Sequence, residues 1–206
     1  MPKNILCYGD SNTWGCVPGI LTRHPENVRW TGVLAERLGP EYRVIEDGIN
    51  GRSTVYDDPG NQCRNGLAGL GYALYRAKPL DLAVVMLGTN DLNYTDLAGY
   101  RLGLTLLARR ILNANAAYPG SSPVFPNGPK LLLVSPVTLT PEAEKYALST
   151  HFAEMTEEAA KELGVSWFDA ASVAEASPLD LCHMDAENHA KLGKALSDVI
   201  RGLLTA

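Results

Sequence analysis

The sequence has no long uncharged apolar run. Before Gly9 the apolar stretch in "MPKNILCYGD" is only a few residues long, too short for a secretory h-region and far short of the roughly 20 residues that span a bilayer. No later segment supplies such a run, so the expectation is a soluble, cytoplasmic protein with no membrane partner. An excess of basic charge is missing too. Eighteen Lys and Arg against 23 Asp and Glu give a formal net charge of −5, which offers a phosphate backbone no complementary field and argues against nucleic acid as a partner. The four cysteines, Cys7, Cys16, Cys63 and Cys182, lack the close pairing of a zinc site or a Cys-x-x-Cys redox motif, and they read as free thiols in a reducing compartment. Repeats and low-complexity tracts are absent. The first glycine-containing turn, "GDSNTWG", has neither G-x-G-x-x-G spacing nor a P-loop lysine, which speaks against a non-catalytic nucleotide-binding module.

What is present is a chain of 206 residues, 46% of them hydrophobic, enough for one core and one domain spanning residues 1–206. Five apolar, β-branched runs stand at 4–9, 42–47, 80–88, 130–136 and 165–170. Several lack polar alternation, as strands covered on both faces do. Segments of helical period lie between and after them, at 26–39, 95–118, 141–164 and 185–204. The first ends at Gly39-Pro40, the third starts at Pro141 and ends at Gly164, and both are helix-boundary signals. This alternation predicts an α/β fold: a three-layer α/β/α sandwich around a five-stranded parallel sheet, flavodoxin-like, with right-handed crossovers. The Pro- and Gly-rich stretch 118–130 is an excursion within that domain.

In an open parallel sheet, ligands bind beyond the carboxyl ends of the strands. Three polar turns would share that edge: Gly9-Asp10-Ser11-Asn12, Gly48-Ile49-Asn50-Gly51 and Gly88-Thr89-Asn90-Asp91. A serine at a tight strand-to-helix turn presents its hydroxyl beside free backbone N–H groups that can hold a developing oxyanion. Asp10 and Ser11 are equally suited to capping a helix, so the turn alone does not decide.

A nucleophilic serine needs a base, usually a histidine oriented by a carboxylate. Of the four histidines, His24 lies in a polar loop and His151 inside a helical segment. His183 follows Asp180 by three residues in "PLDLCHMD", so one turn supplies both base and acid. His189 with Asp185 is the rival pair, but an i, i+4 pair on a helix is usually only a local contact. His183 is therefore the expected base. A metal held by Asp180, Cys182, His183 and Asp185 would need residues crowded in one loop to face a single ion, so no metal and no cofactor are expected.

Taken in order, Ser11 in "GDSN", Gly51 in "INGRS", Asn90 in "GTND" and His183 in "DLCH", with Asp180 before it, resemble the SGNH hydrolase superfamily, the GDSL esterases. The match runs from residue 9 to residue 183. Within the superfamily, "ILCYGDSNTWG", "RWTGVLAERLG", "VIEDGINGRST" and "DLAVVMLGTND" look most like small bacterial arylesterases and acyltransferases. That resemblance implies a serine esterase acting on short-chain acyl esters, aryl or alkyl, through an acyl-enzyme, with acyl transfer as a side activity. A carbohydrate O-acetylesterase with the same machinery is the alternative. The implied roles are Ser11 as nucleophile, His183 as base and Asp180 as its orienting acid. The oxyanion hole would be the Ser11 and Gly51 N–H groups with the Asn90 amide.

Gly48 is the other glycine of its turn and a weaker candidate. Asp10, Asn12 and Trp14 flank Ser11 and are the candidate substrate-side residues, with Trp14 as a wall of the acyl pocket. Asp10 and Asp91 have no evident proton-transfer partner and are assigned to fixing their turns. Asn12 stands where the family's nickname motif has Leu, a change expected to alter packing or local hydrogen bonds rather than mechanism. The polar segment 52–66 would border the site or a subunit contact, and the family includes homo-oligomers.

Overall fold

The structure, a computed structural model, describes residues 2–205. Five strands form one parallel sheet: β1 (Lys3–Gly9), β2 (Tyr42–Gly48), β3 (Leu82–Met86), β4 (Leu131–Ser135) and β5 (Ser166–Asp169). Their order is β2-β1-β3-β4-β5, the doubly wound arrangement in which the connections leave in opposite directions from β1 and β3. Register follows the apolar runs, with Ile5 facing Val44 on one side and Leu82 on the other. The five expected strands are all found, each within two residues of its predicted ends.

The unalternating apolar strands are explained by two cores. Leu6, Tyr8, Ala83, Val85 and Leu133 point to one face and pack on helices α3 (Gly66–Ala77), α4 (Leu97–Leu112) and α7 (Phe152–Leu163). Ile5, Cys7, Leu82, Val84 and Leu132 point to the other, against α2 (Trp30–Leu38) and α8 (Ala186–Thr205). Side chains alternate along a strand, so a strand covered on both faces must be apolar at every position. Each fully buried Leu or Ile adds about 1.5–3 kcal/mol to the burial that holds the layers together.

The helices depart further from expectation than the strands. The helix expected over 26–39 begins at Trp30, because the backbone of Val28 and Arg29 first turns back on Pro25. The helix over 95–118 is α4, capped by Asp96 on the Gly99 N–H, followed by a single turn, α5 (Ala114–Ala117). The helix expected from Pro141 does not start there. Turns lead to a one-turn helix, α6 (Tyr146–Ser149), before α7. The Ser149 and Thr150 hydroxyls donate to the Tyr146 and Ala147 carbonyls, a local competition that interrupts the helix. Helix α3 has no counterpart in the sequence reading. Its three glycines, Gly66, Gly69 and Gly71, depress helix propensity, and they are there because Ser53, Tyr8 and Tyr118 crowd them.

Candidate active site

The site lies at the carboxyl edge of the sheet, at the β1/β3 switch point. The chain leaves β1 at Gly9 and makes one helical turn, α1 (Ser11–Trp14), four residues rather than a full helix. Asp10 is its cap, accepting from the Asn12 N–H at 2.9 Å, which leaves the Ser11 hydroxyl uncommitted to the backbone. Ser11 Oγ is 2.9 Å from His183 Nε2. On the other side of the ring, Nδ1 is 2.8 Å from Asp180 Oδ2. Asp180, His183 and Ser11 thus form a continuous line of hydrogen bonds between residues about 170 positions apart.

Asp180 also accepts from the His183 N–H at 3.0 Å through Oδ1 and from the Gly19 N–H at 3.0 Å through Oδ2. Burial alone would raise its pKa, but these donors together with the His183 ring outweigh it and hold the carboxyl below the usual range. Asp180 therefore stays ionised at neutral pH, as an acid that orients an imidazole should. Cys182 is the third member of this tight group: Asp180, Cys182 and His183 have donor atoms within 4.8 Å of one another. Their closeness reflects hydrogen bonds among themselves. Both ring nitrogens of His183 are engaged, and burial pushes the Cys182 thiol up to about 12, far from the thiolate that a metal prefers.

His189, the rival base, is elsewhere. It is fully buried in α8, its Nδ1 accepts from the Trp30 N–H at 3.3 Å, and burial lowers its pKa to about 3. Among the described residues Asp185 makes no hydrogen bond to its ring; it accepts from the Asn188 N–H and carboxamide at the start of α8.

The backbone N–H of Ser11, that of Gly51 and the carboxamide of Asn90 stand in the three turns at this edge, the second turn tied to the first by the Ile49 N–H on the Gly9 carbonyl at 3.1 Å. Among the described residues neither backbone N–H has a hydrogen-bond partner. Gly51 has φ +79°, a conformation that favours glycine, and a Cβ there would press on Arg64. Gly48 is small for another reason: the backbone of Trp14 lies against it. Asn90 Nδ2 donates to the Arg52 carbonyl at 3.1 Å and lies 3.5 Å from Asp10 Oδ2.

Beneath this cradle sit two buried carboxyls. Burial pushes Asp10 up to about 6, against the pull of the Asn12 N–H, His183 and Arg52. Burial pushes Asp91 to about 7, although it accepts from the Thr54 N–H and hydroxyl. Both are structural supports by position: Asp10 caps the serine turn, and Asp91 ties the Asn90 turn to residues after Gly51.

Arg52 was not a candidate from sequence, yet it joins the three turns. Its buried guanidinium donates to the Gly9 carbonyl at 2.9 Å and pairs with Asp47 at 2.7 Å, while it lies over the Tyr8 ring. A lone basic residue in a polar loop carries no period that would mark it as buried.

Trp14 is half-buried, with the Arg23 guanidinium over its ring and the Arg23 Nε donating to its carbonyl. Asn12 is buried, and both ends of its carboxamide are taken by the backbone beside His183. A cavity of about 960 Å³ opens beside Gly51, lined in part by Ile49, Arg52, Asp57, Gln62 and Tyr72. Its lining does not include Ser11, Asn90, Asp180 or His183.

A parallel flavodoxin-like sheet with a Ser–His–Asp line of hydrogen bonds at its switch point defines an SGNH-type ester hydrolase. Residues 7–191 match the GDSL-like Lipase/Acylhydrolase family, and the chain belongs to that family. It is a carboxylic ester hydrolase of that class. The structure is similar to that of an aryl esterase of M. smegmatis, with 36% identity, a TM-score of 0.89, and coverage of 98% of this chain and 100% of that one. Est24, a carbohydrate acetylesterase from Sinorhizobium meliloti, is 32% identical with a TM-score of 0.89, over 98% of this chain and 99% of its own. A carbohydrate acetylesterase family member from Sinorhizobium meliloti is 36% identical, TM-score 0.90, over 99% and 100%. Among curated proteins nothing matches the chain. Among the described residues no helix is long and apolar enough to cross a membrane.

Proposed function

We propose that the chain hydrolyses short acyl esters through an acyl-enzyme formed on Ser11. His183 Nε2 takes the proton of the Ser11 hydroxyl as Oγ attacks the ester carbonyl, and the carbonyl oxygen becomes an oxyanion held by the Ser11 N–H, the Gly51 N–H and the Asn90 amide. Collapse of the tetrahedral intermediate breaks the acyl–oxygen bond, and His183 returns the proton to the leaving alcohol. Water, activated by the same imidazole, then releases the acid. Another alcohol in its place gives acyl transfer. No step needs a cofactor. The observation that carries this reading is the 2.9 Å and 2.8 Å pair of hydrogen bonds through His183. Trp14, stacked under Arg23, keeps the role of a wall on the acyl side.

A second reading, acetylated carbohydrate as the substrate, is favoured by the cavity beside Gly51, where Asp57, Gln62 and Arg76 stand beside the exposed ring of Tyr72. Planar polar side chains around an aromatic ring suit a polyol leaving group. Native protein and Ser11→Ala, assayed on p-nitrophenyl acetate and on an acetylated sugar, test both. The expected result is activity lost by a factor on the order of 10⁶ in the variant. An active Ser11→Ala would overturn the nucleophile assignment, and the higher kcat/KM among the two esters chooses the substrate class.

A further inference from the structure

Two segments that must meet for catalysis are each poorly held by their own secondary structure. The serine sits on a helix of four residues, and the histidine on an irregular loop before α8 in which Leu181 has φ +73°, a conformation that costs a branched side chain strain. One side chain joins them. Asn12, immediately after Ser11 and buried, donates from Nδ2 to the Cys182 carbonyl at 3.1 Å and accepts at Oδ1 from the Met184 N–H at 2.9 Å. These are the backbone groups on either side of His183. A carboxamide that reads one carbonyl and one N–H around a single residue fixes that residue's position and direction, much as a neighbouring strand would.

We propose that Asn12 is a positioning residue that sets the register between the Ser11 hydroxyl and the His183 ring. It does not touch the reacting atoms, and both of its polar ends are spent on the loop. The carbonyl of His183 is held separately by the Ser177 N–H at 2.7 Å, and that of Leu181 by the Thr140 N–H at 3.1 Å, so the loop keeps its general shape without Asn12. What Asn12 alone supplies is a tie to the residue next to the nucleophile. Leucine at this position has the same branched skeleton but makes neither bond, leaving a buried N–H and a carbonyl without partners. The loop then has reason to drift from Ser11. A displacement near 1 Å in such a pair costs about a hundredfold in rate.

The proposal rests on Ser11 and His183 being nucleophile and base, and Ser11→Ala is assayed beside the Asn12 variants so that failure of the two ideas can be told apart. Asn12→Leu and Asn12→Ala are measured on p-nitrophenyl acetate below their melting temperatures, together with the rate at which a fluorophosphonate labels Ser11. Expected is a fall in kcat of about ten- to a hundredfold with KM within about twofold. The labelling rate should drop in parallel, since it reports the same Ser–His pairing. A kcat within twofold of the parent in the folded variants, or a loss carried by KM with labelling unchanged, overturns the proposal. Failure of both variants to fold assigns Asn12 to stability alone and overturns it equally. An active Ser11→Ala would remove the underlying assignment whatever Asn12 does.

Discussion

The two sides of Ser11 use the same residue type, aspartate, to opposite ends. On the His183 side, Asp180 is only partly buried and collects donors from His183 and Gly19, and its carboxyl is held below its ordinary range. On the floor, Asp10 and Asp91 also accept backbone N–H bonds, yet burial raises them to about 6 and about 7. Donors are present in both regions. The difference is depth: three donors outweigh a modest desolvation at Asp180, whereas full burial outweighs the donors at Asp10 and, with Asp10 as a second carboxyl nearby, those at Asp91. One side is built to keep a charge that can face an imidazolium. The other is built to hold turns in place, with its charge the part most easily given up.

The largest effect that would break this contrast is at Asp180. Asp180→Asn keeps the shape but leaves the imidazole without its orienting charge, and kcat is expected to fall about ten-thousandfold while the protein stays folded. Measured kcat within tenfold of the parent would mean that Asp180 does not serve His183. Next comes the floor's contribution through Asn90. Asn90→Ala removes one oxyanion donor, and kcat should fall about a hundred- to a thousandfold with little change in KM. A change in KM alone would place Asn90 in ground-state binding instead.

The smallest effect is on stability and depends on pH. Asp91 has its ordinary carboxyl value, near 3.8, when unfolded and about 7 when folded, so between those values the folded protein holds a proton that the unfolded chain has lost. That stabilisation is complete below about pH 4 and gone above about pH 7. Asp91→Asn has no such slope. Relative to the parent, the variant should therefore gain stability, by a few kcal/mol at most, as pH rises through this window, read from urea midpoints at pH 4.5 and 8. A difference that stays flat would show that the carboxyl is not raised by burial. Asp180 runs the other way: its contribution is present above its ordinary value and is lost only as the protein is acidified below it.

Much of this architecture was legible before any coordinates. Strand β3 is apolar throughout, and β1 from Ile5 to Tyr8 and β4 from Leu131 to Val134, because both faces are covered there, and that leaves a run no turn or helix would share. Ser11, Gly51, Asn90, Asp180 and His183 stand in turns, where short sequence patterns survive because local backbone geometry demands them. Helix α3 was hidden by its glycines, whose value is close approach to Tyr8 and Tyr118, partners that the local sequence does not reveal. The break before α7 was hidden for a similar reason: Pro141 looks like a helix start, and only the hydroxyl bonds of Ser149 and Thr150 show why the helix waits until Phe152.

The sequence by itself determined the order of the layers, the strand identities and which turns carry chemistry, since period, turn residues and spacing are local properties of the chain. Tertiary structure alone decided which aspartates keep their charge, and how Arg52 and Asn12 tie the turns together. Those outcomes depend on burial and on hydrogen bonds between groups many residues apart, as in the bonds from Asn12 to Cys182 and Met184, and such distances close only when the sheet brings its loops to one edge.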